Sequence, residues 1–352
     1  MQYGADRLRV AVAAPLSRDL APLLTQLENR IELDYQPDLL PPMRFPADFS
    51  GDPAYRRTAS QQTRYELMVD TADALYGIPN GDPRALRRTI DANPGLRWVH
   101  TMAAGGGGQV RAANLSPMQL EQVVFSTSAG VHGGPLAEFA LLGLLAGAKS
   151  LTRLRQQHRN HVWSDRWAMG QIAEQDILLI GLGGIGRVIA QYLNALGAHV
   201  MGMSRRNAPV AGVHELIEPT ELASAIRRAD GIVLSLPGTD QTNGLLGAEL
   251  LSAVTPGVTI VNVGRGTVVD EPALIEALED GRVGFAALDV FAIEPLPASS
   301  ALWLREDVLI SPHTAGLSTQ EEERIVRLFA SNATALLDGH PLRSAMDPDH
   351  FY

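Results

Sequence analysis

Short apolar runs alternate with stretches of helical spacing along this chain. In the first third, Leu8 to Ala13, Ile31 to Tyr35, Ala72 to Gly77, Leu96 to Thr101 and Val123 to Ser126 predict strands. Leu20 to Glu28, Pro83 to Ile90 and Pro117 to Gln122 predict helices. The last two open with a proline behind Asp82 or Ser116, where a missing N–H costs nothing and the side chain can cap. The middle repeats the pattern more strongly, with strands over Ile177 to Ile180, His199 to Met203, Ile232 to Leu236, Val258 to Val263, Phe285 to Val290 and Val308 to Ile310. Ser318 to Leu337 predicts a long amphipathic helix, with Glu321, Glu322 and Glu323 at the end where the helix dipole favours acids. Strands alternating with helices predict an α/β fold, parallel sheets covered on both faces. Pro41 to Thr63, with four prolines, breaks the pattern and reads as a long loop.

Composition narrows the field. The 352 residues suggest two domains at roughly 150 residues each. With 45% hydrophobic residues there is material for ordinary cores, so disorder is not the main state. No cysteine is present, which excludes disulfide scaffolds, thiolate metal sites and a cysteine nucleophile. A net charge of −10 and 5% aromatics argue against nucleic-acid partners. The longest apolar run, Phe139 to Ala148, is far short of the roughly 20 residues a membrane helix needs. The expectation is a soluble, cytoplasmic protein without a metal.

Gly181-Leu-Gly183-Gly184-Ile185-Gly186 has the form GxGxxG, weak alone but strong in its setting. The strand DILLI precedes it and the helical IGRVIAQYLNALG follows. Gly181 permits the tight turn, Gly183 lets the backbone approach a diphosphate, and Gly186 lets helix and strand pack closely. Ser204, after the second strand, lies about 20 residues beyond the first glycine, at the place of the acid that binds an adenosine ribose. Here Ser204-Arg205-Arg206 stands instead, and two guanidinium groups suit a 2′-phosphate. The expectation is therefore a dinucleotide site that prefers NADP over NAD. A pair of merely solvated arginines is the competing reading.

Three later blocks end predicted strands, on the side where open α/β sheets bind ligands. TIVNVGRG carries Arg265, AALDVFAIEPLP carries Asp289 and Glu294, and VLISPHTAG carries His313. Singly, the bland reading is the better one: Arg265 a surface turn residue, Glu294 a solvated loop acid before Pro295, His313 a turn histidine after Pro312. Together they suit hydride transfer coupled to proton transfer. The histidine exchanges the proton, the carboxylate orients it and favours its charged form, and the arginine holds a substrate carboxylate and polarises the carbonyl.

These blocks, with GLGGIGR, resemble the signature of the D-isomer-specific 2-hydroxyacid dehydrogenases over about Leu96 to Pro341, most closely the NADPH-using glyoxylate/hydroxypyruvate reductase type. The resemblance implies two Rossmann-like, doubly wound parallel-sheet domains with the active site in the cleft between them. It assigns 1–130 plus 317–352 to a flavodoxin-like substrate-binding domain and 131–316 to a dinucleotide-binding Rossmann domain. By position it implies Arg265 as the substrate-binding arginine, Glu294 as the orienting acid and His313 as the acid/base. Gly183, Gly184 and Ile185 then supply the diphosphate loop. Leu236, Pro237 and Asn243 line the cofactor, Val263 and Gly264 flank the nicotinamide, and Asp289 lies near its carboxamide. HTMAAGGGGQV resembles the substrate loop, usually Ala-Gly-Val-Asp, so the amides of Ala104, Gly105 and Gly106 are expected to bind the substrate carboxylate. Its extra glycines predict a floppier loop. The implied activity is reversible reduction of a small 2-oxo acid, glyoxylate or hydroxypyruvate, to a D-2-hydroxy acid by NAD(P)H. Dinucleotide-sensing, corepressor-like modules on the same fold are the alternative, and turnover with a panel of oxo acids discriminates. The apolar stretch from Gly133 to Trp163, with Trp167 behind it, predicts a homodimer interface.

Overall fold

The computed structural model describes residues 7–204, 208–349 and 351. The chain divides into two compact units, residues 1–132 with 317–352, and residues 133–316. No single helix among the described residues is long and apolar enough to cross a membrane.

The first unit holds β1 (Leu8–Val12), β2 (Ile31–Asp34), β3 (Ala74–Tyr76), β4 (Trp98–Thr101) and β5 (Val124–Thr127), in the order β2-β1-β3-β4-β5. Every pairing is parallel. Parallel strands are covered on both faces, which is why β3 and β4 are buried at every position, and β1 at every position but Arg9, rather than alternating. The helix Glu321–Leu337 joins this unit by one stripe: Ile325, Val326, Phe329, Ala330 and Ala333 are buried at helical spacing. Phe329 stacks on Trp98 with ring centroids 4.3 Å apart and meets Tyr76 edge-on at 5.2 Å. Beside it, Glu28 accepts from Thr334 Oγ1 at 2.7 Å, and Arg30 pairs with both Glu28 and Asp338.

The loop predicted over Pro41 to Thr63 ends sooner. A helix runs over Ala59–Asp70, started by a capping box in which Thr58 and Gln61 exchange hydrogen bonds. Its polar first turns hide the helical signal, since only Tyr65, Met68 and Val69 are buried. The glycines after β4 divide likewise. Gly105 and Gly106 lie in a turn, and Gly107 and Gly108 begin the helix Gly107–Ala112.

The second unit holds β6 (Asp176–Ile180), β7 (His199–Met203), β8 (Glu215–Ile217), β9 (Gly231–Leu234), β10 (Val258–Asn262), β11 (Val283–Leu288) and β12 (Val308–Ile310). They form one parallel sheet in the order β12-β11-β10-β9-β6-β7-β8. The short edge strand β8 carries no run that marked it in the sequence. Strand order reverses between β6 and β9, so the crevice at the carboxyl ends of these strands is the switch point at which open α/β sheets bind ligands. The helix Gly133–Ala148 buries Leu136, Ala137, Ala140 and Leu144 in this unit's core.

Candidate active site

Between β6 and the helix Gly184–Ala195, the chain turns at Gly181 with φ +110°, a left-handed conformation open to glycine alone at little cost. A Cβ on Gly186 would overlap the Gly181 carbonyl, so helix and turn meet only because that residue is glycine. Ser235 Oγ donates to the same carbonyl at 2.8 Å. Gly183 and Gly184 are exposed, Ile185 is half-buried, and nothing stands within 4 Å of the position of a Gly183 Cβ. The result is a glycine cradle at a helix N-terminus with open space before it, which fits a dinucleotide diphosphate. Ser204 directly follows β7; Arg205 and Arg206 lie outside the described residues.

The β9 and β10 ends are locked together. Val263 is buried and donates its amide to Leu234 O at 3.0 Å. A Cβ on Gly264 would run into the Leu236 backbone. Asn262, 1% exposed, accepts from the Gly264 amide and donates to Arg265 O, each at 3.0 Å. This residue was missed in the sequence, where its one signal was a polar side chain inside the apolar run TIVNV. Arg265 itself is exposed, and its guanidinium donates to Gly264 O at 2.7 Å. Pro237 begins a turn closed by Thr242, whose Oγ1 donates to Pro237 O at 2.7 Å. Asn243 follows, lining with Thr267, Glu271 and Ile293 a cavity of about 520 Å³.

Asp289, after β11, is 1% exposed, and its Oδ1 accepts from Ser311 Oγ at 2.6 Å and from the amides of Thr314 and Ala315, both at 2.9 Å. Its carbonyl accepts from the His313 amide at 2.9 Å. These bonds hold His313 at φ +55°, a left-handed conformation that costs a non-glycine residue on the order of 1–2 kcal/mol. Asp289 therefore shapes the turn that presents the histidine, a role its sequence position did not reveal.

His313 Nδ1 lies 2.8 Å from Glu294 Oε2, while Glu294 Oε1 accepts from the Phe291 amide at 3.0 Å. Nε2 of His313 has no partner among the described residues, and the ring is about half exposed. Burial pushes the Glu294 carboxyl up. The His313 ring, the Phe291 amide and the charges of His313 and Arg265 outweigh that and hold it below the ordinary carboxylate range. A charged carboxylate on one nitrogen and a bare second nitrogen is the arrangement of an oriented acid/base.

In the first unit, Ala104, Gly105 and Gly106 follow β4. The Gly106 amide is taken by Ala103 O at 3.2 Å, whereas the amides of Ala104 and Gly105 have no acceptor among the described residues. No group of three or more His, Asp or Glu residues able to hold a metal ion occurs among the described residues.

Residues 141–315 match the family model described as D-isomer specific 2-hydroxyacid dehydrogenase, NAD binding domain. An (S)-sulfolactate dehydrogenase of Chromohalobacter salexigens is 32% identical over 78% of this chain and 88% of its own length. The chain belongs to the D-isomer specific 2-hydroxyacid dehydrogenase family. A D-3-phosphoglycerate dehydrogenase of Mycobacterium tuberculosis is 34% identical over 81% of this chain, which spans only 55% of that relative. The solved D-isomer specific 2-hydroxyacid dehydrogenase of Xanthobacter autotrophicus Py2, in complex with NADPH and MES, superposes with a TM-score of 0.75 at 26% identity, covering 98% of this chain and all of the other.

Proposed function

We propose that this dehydrogenase-family chain transfers a hydride reversibly between NAD(P)H and a small 2-oxo acid, giving a D-2-hydroxy acid, with glyoxylate and hydroxypyruvate as first candidates. The observation that carries the reading is the His313 Nδ1···Glu294 Oε2 contact of 2.8 Å, with Nε2 left open, at the carboxyl edge of the sheet that also bears the glycine cradle and Arg265. Gly181, Gly183, Gly184, Ile185 and Gly186 would hold the diphosphate, with Leu236, Pro237, Asn243, Val263, Gly264 and Asp289 around the rest. A nicotinamide bound there supplies the hydride. His313 in its charged form gives the Nε2 proton to the substrate carbonyl oxygen, and in the reverse direction Nε2 takes the hydroxyl proton. Glu294 fixes the ring and balances its charge. Arg265 binds the substrate carboxylate and steadies charge growing on the carbonyl oxygen. We assign the first unit, 1–132 with 317–352, as the substrate-binding domain, where the Ala104 and Gly105 amides offer two backbone donors to a carboxylate; 133–316 then serves the dinucleotide.

NADPH is the preferred cofactor in this reading. Its support is Ser204 in the place of a ribose-binding acid, Arg205 and Arg206 beside it, and the NADPH bound by the Xanthobacter relative. The protein acts as a homodimer, built on the apolar surface that the second unit leaves exposed: Leu142, Leu145, Val162 and Trp163, with Trp167 packed under Arg153 at 3.9 Å. A steady-state screen of small 2-oxo acids with NADH and NADPH tests the activity, and absence of turnover with all of them overturns it. Light scattering tests the dimer, which a mass near 37.8 kDa at micromolar concentration removes.

A further inference from the structure

Two consecutive amides in the Glu294 turn go to two different carboxylates. Phe291 N–H donates to Glu294 Oε1 at 3.0 Å, and Ala292 N–H donates to Glu271 Oε1 at 2.6 Å. Glu271 is half-buried and opens the helix Glu271–Glu279, whose start is fixed by Asp270 accepting from the Ala273 amide at 3.2 Å. From the other side Gly266, next to Arg265, lies flat on the turn, so that a Cβ there would overlap the Phe291 carbonyl. Phe291 is buried in the core of the second unit, but Ala292, Ile293 and Glu294 are exposed, Ile293 by 65%, so burial anchors this turn at its first residue alone. Beyond that anchor, its path is set by the backbone contacts of Phe291 and Ala292.

We propose that Glu271 is a positioning residue for Glu294. By holding the Ala292 amide, it sets the 291–294 turn so that Glu294 Oε2 meets His313 Nδ1. This rests on the acid/base reading of that pair. An acid/base displaced by an ångström loses much of its efficiency, so the anchor matters to the rate although it touches no reactant.

The test is a double-mutant cycle. Glu271→Ala should lower kcat about tenfold or more while the KM for NAD(P)H stays within about twofold. Glu271→Gln keeps a carbonyl oxygen for the Ala292 amide and should restore kcat to within about threefold of wild type. Repeated on Glu294→Gln, Glu271→Ala should cost little more, because the residue through which it acts is already impaired. Independently of turnover, hydrogen exchange at the Ala292 amide should quicken in Glu271→Ala and not in Glu271→Gln. Equal losses from Glu271→Ala with and without the Glu294 carboxylate, or unchanged exchange at Ala292, overturn the proposal. A Glu294→Gln enzyme as fast as wild type overturns the acid/base reading itself, and this inference with it.

Discussion

Asp289 holds the turn of His313 by four hydrogen bonds, three to its carboxylate Oδ1 and one to its own carbonyl, while among the described residues the histidine ring bonds to Glu294 alone. The backbone of His313 and the orientation of its ring thus have separate anchors.

His313→Ala should lower kcat by roughly 10²–10⁴-fold, the range of a lost general acid, with a smaller effect on cofactor KM. Arg265→Ala should raise the KM for the oxo acid as well as lower kcat, because binding is lost too. Steady-state kinetics decide, and a His313→Ala enzyme near wild-type kcat ends the assignment.

Cofactor choice should follow Arg205 and Arg206. A charge-assisted contact is worth about 1.5–3 kcal/mol, so the preference for NADPH in kcat/KM should be roughly 10- to 100-fold. Replacing both arginines by alanine should erase most of it. Equal or better kcat/KM with NADH in the wild type shows the arginines to be solvated surface.

The glycine run after β4 offers a paired test. A Cβ on Gly107 would overlap the carbonyl oxygen of Phe351, whereas a Cβ on Gly108 meets nothing within 4 Å. Both residues lie in the helix Gly107–Ala112, where alanine is worth about 0.5–1 kcal/mol over glycine. Gly108→Ala should therefore be neutral or stabilising. Gly107→Ala should shift the turn before it, raising the KM for the oxo acid about tenfold and leaving the KM for NADPH alone. Matching kinetics in the two variants would refute this.

His100 gives a pH dependence to stability. It is fully buried, bonded to Ser126 Oγ at 2.8 Å and Ser128 Oγ at 3.1 Å, and desolvation pushes it down to about 3. The unfolded chain binds a proton at this residue below about pH 6.5 and the folded chain does not, so stability falls as pH drops from there toward 3. Glu28, held at about 2 chiefly by the Arg30 side chain, acts only below its ordinary value of 4.5. Between pH 6.5 and 4.5, urea unfolding of His100→Gln should therefore show a pH slope flatter by up to one proton than wild type. An unchanged slope would mean that His100 is protonated in the fold.

The chain alone determined the alternation that makes two parallel sheets, because strands buried on both faces need continuous apolar runs. It also determined the glycine cradle, because GLGGIGR is a local turn whose φ angle and close approach are properties of neighbouring residues. Arg265, Glu294 and His313 could be read as one candidate group because each follows the end of a strand within a few residues, and parallel strands put all their carboxyl ends on one edge. The helix Ala59–Asp70 was not, since its polar first turns carry no stripe and its start rests on one capping box. Nor were Asn262, Asp289 and Glu271 readable as supports, for their work is done on backbone amides and carbonyls. The bond from Ala292 to Glu271 spans 21 residues of sequence, and that from Ala315 to Asp289 spans 26. A polar residue in a sequence shows what it can bond to. Which amide it meets depends on how β10, β11 and β12 stack, and only the folded sheet decides that.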